Sequence, residues 1–228
     1  MLCLRVSSDA AWVVEASKDL DAVLVDHAHC EMKAASNALS LAARHPGDFA
    51  LVRALTDLAR EEIDHFQRVL SFLEARGLRL GPPPVDTYAA ELLRAVRALP
   101  YDPRTVPLVD RLLVAALIEA RSCERFKLLL SVVPAGGELH AFYTELFAAE
   151  ARHYQSLVDL AIASAQGDAG LVHARATPRR SKTRTGRRTT SWRCWHTSCA
   201  IRWPRFATPC RCYACSGRPT RAPRRCTR

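Results

Sequence analysis

Glu31 is followed 31 residues later by Glu62, which opens the tetrapeptide Glu62-Ile63-Asp64-His65. The same spacing recurs: Glu119 is followed 31 residues later by Glu150, which opens Glu150-Ala151-Arg152-His153. Random placement of 11 glutamates and 8 histidines in 228 positions gives about 0.4 Glu-x-x-His pairs. Two such pairs, each preceded by a glutamate at the same distance, point to a duplicated helical hairpin rather than to scattered charge.

Helical register sharpens this. Leu55, Leu58, Phe66, Val69 and Leu73 recur at steps of a helical stripe, and Glu62 and His65 fall on it. Glu61, Asp64 and Arg68 fall on the other face with Asp57, where solvent can carry their charge. Glu150 and His153 share a stripe with Phe142, Leu146, Leu157 and Leu160. Glu31 lies with Leu20, Leu24, Ala34 and Ala38, and Glu119 with Leu112, Ala116, Cys123 and Phe126. Burying an ionised carboxylate is costly unless it is paired or binds a metal. Taken singly, an inward glutamate is ordinarily a helix-end or interface residue and an inward histidine a hydrogen-bonded core group. Together, Glu31, Glu62, His65, Glu119, Glu150 and His153 make a candidate dinuclear ligand set. Four carboxylates and two imidazoles suit iron or manganese better than zinc or copper. Glu124 rivals Glu119 on the same helix but breaks the 31-residue spacing. His27, one turn before Glu31, is either an outer partner of that glutamate or a packed histidine; Cys30 and Cys123 read as small core residues.

The punctuation between the stripes defines the helices. A long helix is expected from about Lys18 to Arg44, stopped by His45-Pro46-Gly47, and a second from Asp48 as N-cap to Gly77. Gly81-Pro82-Pro83-Pro84 links to a shorter helix near Thr87–Ala98. A third long helix runs from about Thr105 to Val133 with Pro107 in its first turn, and a fourth from Glu138 to Ala165. Asp9–Ser17 adds a short helix. The fold class is all-α. Four long helices with one longer central connection describe a ferritin-like four-helix bundle with short additional helices.

Composition divides the chain at residues 173/174. Residues 174–228 hold 16 Lys+Arg and no Asp or Glu, so residues 1–173 carry 17 basic against 23 acidic side chains, a net −6. The overall +10 therefore belongs to the tail and says nothing about the bundle. The tail shows no helical or strand periodicity, and the sequence predicts a disordered segment. It reads as a basic nucleic-acid arm, as a zinc site of Cys210, Cys212, Cys215 and His196, or as an out-of-frame reading of a GC-rich gene. The zinc spacing lacks a second well-spaced pair, and the abrupt loss of every acid with enrichment in Arg, Pro, Cys and Trp favours the last. Cys3, Cys30 and Cys123 form no pairing pattern, which fits a reducing compartment. Met1–Val6 offers no apolar signal core, and Leu112–Ile118 is far below the roughly 20 residues of a membrane span. A cytoplasmic protein without membrane contact is expected.

The strings D-H-A-H-C-E-M-K-A-A-S (26–36), L-A-R-E-E-I-D-H-F (58–66), I-E-A-R-S-C-E-R-F (118–126) and E-A-R-H-Y-Q (150–155) closely resemble the MiaE-type tRNA hydroxylases over roughly residues 5–173. The resemblance implies a ferritin-like non-haem di-iron monooxygenase that hydroxylates the isopentenyl group of 2-methylthio-N6-isopentenyladenosine beside the tRNA anticodon. It puts the family's six metal ligands on Glu31, Glu62, His65, Glu119, Glu150 and His153. It also implies two iron ions, dioxygen as co-substrate, an external electron donor with its transfer partner, and tRNA as the macromolecular substrate. After about His173 the chain departs from the family, which continues with an acid-containing helical region. RNA must then meet an acidic body through a local patch, for which Arg76, Arg79, Arg94, Arg97 and Arg104 are candidates or ordinary solvated surface. The alternatives are a ferritin-like iron oxidase or peroxide scavenger using the same ligands without an organic substrate, and an RNA-binding protein whose bundle is only structural.

Overall fold

The structure, a computed structural model, describes residues 4, 7–85, 87–99, 102–103 and 106–177. Among them are seven helices and no strand: α1 (Ala10–Lys18), α2 (Leu20–Arg44), α3 (Phe49–Ala75), α4 (Thr87–Arg97), α5 (Pro107–Leu129), α6 (Glu138–Ser164) and α7 (Ala169–Ala176). The expected tail beyond residue 177, with its cysteines and His196, lies outside the described residues, as do Cys3 and Arg104.

Side-chain caps start the first three helices, one of them the expected Asp48. Asp9 accepts from Ala11 N at 2.9 Å, Asp19 from Ala22 N at 2.9 Å and Asp48 from Leu51 N at 3.0 Å, each satisfying an otherwise orphaned amide. Pro107 occupies the first turn of α5, where a missing N–H costs nothing. The end of α3 is set by Gly77 in the left-handed region at φ 65°. Gly77 N bonds to Glu74 O at 3.0 Å and Leu78 N to Leu73 O at 2.9 Å, the paired bonds of a Schellman turn. One boundary differs from expectation. α5 stops at Leu129 rather than Val133, and its chain continues as tight turns with Ser131 N on Leu128 O and Val132 N on Leu129 O. Pro134 disfavours helical backbone at Val133, and the helix unwinds before reaching it.

α2 packs along α3, and α5 along α6, as two hairpins whose inner faces meet. The core is divided. One apolar cluster gathers Leu41, Leu55, Leu58, Leu112 and Leu157; the other gathers Leu24, Val69, Phe126, Phe142 and Leu146. On every long helix the two sets are separated by the same short interval, which holds Glu31 on α2, Glu62 and His65 on α3, Glu119 on α5, and Glu150 and His153 on α6. A layer of charge is thus clamped between two layers of hydrocarbon.

Two outer elements brace this frame. α4 lays Leu92 and Val96 against Val114 of α5. α7, which the sequence does not announce, packs Leu171 and Val172 into the core and includes Ala174–Ala176, which composition alone groups with the tail. Arg175 grips Asp110 of α5 with Nε on Oδ1 at 2.7 Å and Nη2 on Oδ2 at 2.8 Å.

Candidate metal centre

All six residues selected by register converge. Their ligand-type atoms form two groups, Glu31, Glu62, His65, Glu150 and Glu62, Glu119, Glu150, His153, with the atoms of each group within 4.8 Å of one another. Glu62 and Glu150 belong to both groups, and they are also the most deeply buried of the set at 1% and 2% exposed. Glu124 does not join them. It is taken by Ser8, whose N and Oγ donate to its carboxylate at 2.9 and 2.6 Å, and by Arg121, so it ties the N-terminal segment to α5 instead.

Within the cluster His65 Nδ1 lies 3.7 Å from Glu31 Oε2 and 3.8 Å from Glu62 Oε2, while His153 Nδ1 lies 2.8 Å from Glu62 Oε1. Glu62 Oε1, Glu150 Oε2 and both Nδ1 atoms are sealed from solvent, and beyond the close approach of Glu62 and His153 none has a well-directed hydrogen bond among the described residues. Buried polar atoms are ordinarily satisfied. Four such atoms gathered in two adjoining groups, all of them oxygen or imidazole nitrogen, fit a site for divalent metal.

The electrostatics agree. Burial pushes Glu62 up to about 7, against the opposing pull of His153 and His65. Burial also raises Glu119, and burial together with the charge of Glu119 raises Glu150 well above the ordinary carboxylate range. Burial works to lower His65, but Glu31 and Glu62 beside it win and lift it to about 9; Glu62 does the same for His153. Glu31 is the exception. Burial would raise it, yet the adjoining His27 holds it well below the usual range. Without cations, therefore, the layer retains protons that a metal would displace.

Two further contacts surround the cluster, and only the first is hidden from register. Glu61 is half exposed, as its face requires, but its Oε2 accepts from His153 Nε2 at 3.1 Å and lies 3.6 Å from Arg152 Nη2. It is therefore not merely a solvated acid: it fixes the imidazole so that Nδ1 faces Glu62. His27 Nε2 donates to Glu31 Oε1 at 2.5 Å, with its ring packed among Phe126, Phe142 and Tyr143. The outer-partner reading of His27 is the one the geometry supports. No sequence signal joins Glu61 to His153, since they lie on different helices; His27, at one turn from Glu31, is the more visible.

The family model described as tRNA-(MS[2]IO[6]A)-hydroxylase (MiaE) matches residues 1–177. A Pseudomonas putida protein named tRNA 2-(methylsulfanyl)-N(6)-isopentenyladenosine(37) hydroxylase is 46% identical over 151 residues, covering 66% of this chain and 71% of that protein. A Salmonella typhimurium protein of the same name is 30% identical over 207 residues, covering 69% of this chain and 74% of its own. Among solved structures, a Synechococcus protein with aldehyde deformylating oxygenase activity superposes with a TM-score of 0.62 at 35% identity, covering 80% of this chain and 92% of that one. The bundle is ferritin-like.

Removing metal should make stability depend on pH in a defined direction. Glu62, Glu119, Glu150, His65 and His153 all have folded values above their unfolded ones, so the stability they lend is complete at low pH and is lost as pH rises through those values. Calorimetry in chelator should show the melting temperature falling between about pH 5 and 9, and the rise on adding divalent metal growing over the same window. A flat metal-free profile would mean that the layer holds no protons. Glu61→Ala should keep metal at saturation but weaken its affinity by about 10- to 100-fold in chelator competition.

Proposed function

The chain belongs to the MiaE family of tRNA hydroxylases, and from that premise we propose that its buried cluster holds two iron ions for hydroxylating the isopentenyl group of 2-methylthio-N6-isopentenyladenosine. The protein is a tRNA-modifying hydroxylase. The observation that carries the di-iron reading is the sharing of Glu62 and Glu150 between two otherwise separate groups of donors. Glu31 and His65 would serve one ion, Glu119 and His153 the other, and the two shared carboxylates would span both. When bound, the iron pair supplies the activation of dioxygen that an unactivated C–H bond requires, drawing electrons from an external donor.

The chain's own work is to hold and shield. Glu61 keeps the Nε2 proton of His153 engaged, so Nδ1 remains the ligand atom. His27 occupies Glu31 Oε1 and leaves Oε2 facing His65. The hydrocarbon layers on either side exclude bulk water from the reacting carbon and accept an apolar prenyl chain. All six proposed ligands precede residue 154, so we take the bundle as the catalytic unit and residues 174–228 as contributing no ligand. No described helix is long and apolar enough to cross a membrane. We assign the protein to the cytoplasm, with its tRNA and an electron-transfer partner.

Two measurements test this. Mass spectrometry of nucleosides, after incubating hypomodified tRNA with iron-loaded protein, a reductant and oxygen, should show the isopentenyl nucleoside gaining one oxygen atom. Unchanged nucleosides with measurable iron oxidation or peroxide consumption would favour the scavenger alternative. Metal analysis should separate the ligands: Glu62→Ala and Glu150→Ala should each fall from two ions per chain to below one, whereas Glu31→Ala should keep about one. Equal loss in all three would contradict the shared role of Glu62 and Glu150.

A further inference from the structure

At the end of the bundle where α2 gives way to α3, a cleft of about 420 Å³ opens between the C-terminus of α2, the start of α5 and the end of α6. Arg44, His45, Asp48, Pro107, Arg111 and Ser164 line it. Its charge balance is unusual for a body that is acidic overall. The acids at this end are engaged: Asp48 caps α3, Asp110 is held by Arg175, and Asp168 caps α7 by accepting from Leu171 N at 2.8 Å. Arg44 and Arg111 have no ion pair or hydrogen bond from their side chains among the described residues, and neither has Arg53 on the first turns of α3. At the opposite end three cations are already committed among the described residues, though Arg79 is not. There Lys18 pairs with Glu15 at 2.6 Å, Arg76 approaches Asp21 at 3.4 Å, and Arg125 stacks over the Trp12 ring. Of the arginines the sequence offers for RNA, Arg76 is thus already committed.

We propose that this cleft is a subsite for a backbone phosphate of the tRNA, gripped by Arg44 and Arg111. The inference rests on tRNA being the substrate, as argued above. Two guanidiniums without acidic partners, one exposed and one half-buried, present the forked donors that match phosphate oxygens. Pro107 precedes Glu119, and Ser164 follows His153, by about three helical turns, which puts the cleft roughly 17 Å along the bundle from the charged layer. A phosphate held there belongs to a nucleotide a short way along the strand from the base undergoing reaction. Such contacts position the RNA without reading its sequence. This end of the bundle, rather than the α3 C-terminus around Arg76 and Arg79, then faces the nucleic acid.

The test uses the full chain and a tRNA transcript, so that the contribution of the Arg-rich residues 178–228 is common to every variant. Binding is followed by fluorescence anisotropy across a salt series. Arg44→Gln and Arg111→Gln should each weaken binding about three- to tenfold and reduce the slope of log affinity against log salt by about 1, while Arg79→Gln should leave both unchanged. Arg111→Lys, which keeps the charge, should restore most of the slope and guards against a folding defect. Unchanged slopes in both cleft variants, or an equal loss in Arg79→Gln, would overturn the subsite and leave the hydroxylase reading intact. Failure of the unsubstituted chain to bind tRNA at all would overturn both.

Discussion

The structure depends on a layer of buried charge that apolar packing alone could not tolerate. Four carboxylates and two imidazoles sit between two hydrocarbon clusters, nearly without solvent. Isolated buried ions cost several kcal/mol each even after relaxation. The protein meets that cost by arrangement: unlike charges adjoin, protons are retained, and the remaining lone pairs gather in two adjoining groups. Metal ions replacing those protons would turn a destabilising layer into a tie between hairpins. The helices therefore act as a frame that keeps donors convergent before any ion arrives.

That frame also explains the partners around the cluster. Glu61 lies half exposed and His27 packs among the aromatic rings of the core, yet each fixes the orientation of one member of the layer. Glu124, which resembles a ligand in sequence, is spent on holding Ser8 and pairing with the buried Arg121. The two glutamates of α5, Glu119 and Glu124, thus take different jobs according to the direction their register gives them.

Much of this is legible in the amino-acid sequence. The 31-residue repeat, the stripes and the cap Asp48 follow from helical period and local hydrogen bonding, which are short-range properties of the chain. Glu31, Glu62, His65, Glu119, Glu150 and His153 converge because the same period places all six inward. What the sequence hides depends on distances between helices. The bond from Glu61 to His153, the division of the six into two groups with two members in common, and the union of Arg175 with Asp110 all join residues far apart along the chain. α7 is hidden because eight residues carry too little periodicity to stand out beside an Arg-rich run, and α5 ends early because Pro134 acts on the residue before it.

The most direct test of two ions held by common carboxylates is Mössbauer spectroscopy of protein loaded with isotopically enriched iron and oxidised. Carboxylates spanning both ions should bring them close enough to couple magnetically, giving two ferric ions per chain with a diamagnetic ground state at low temperature. A spectrum of magnetically isolated ferric iron, or a single ion per chain at saturation, would contradict the shared positions of Glu62 and Glu150.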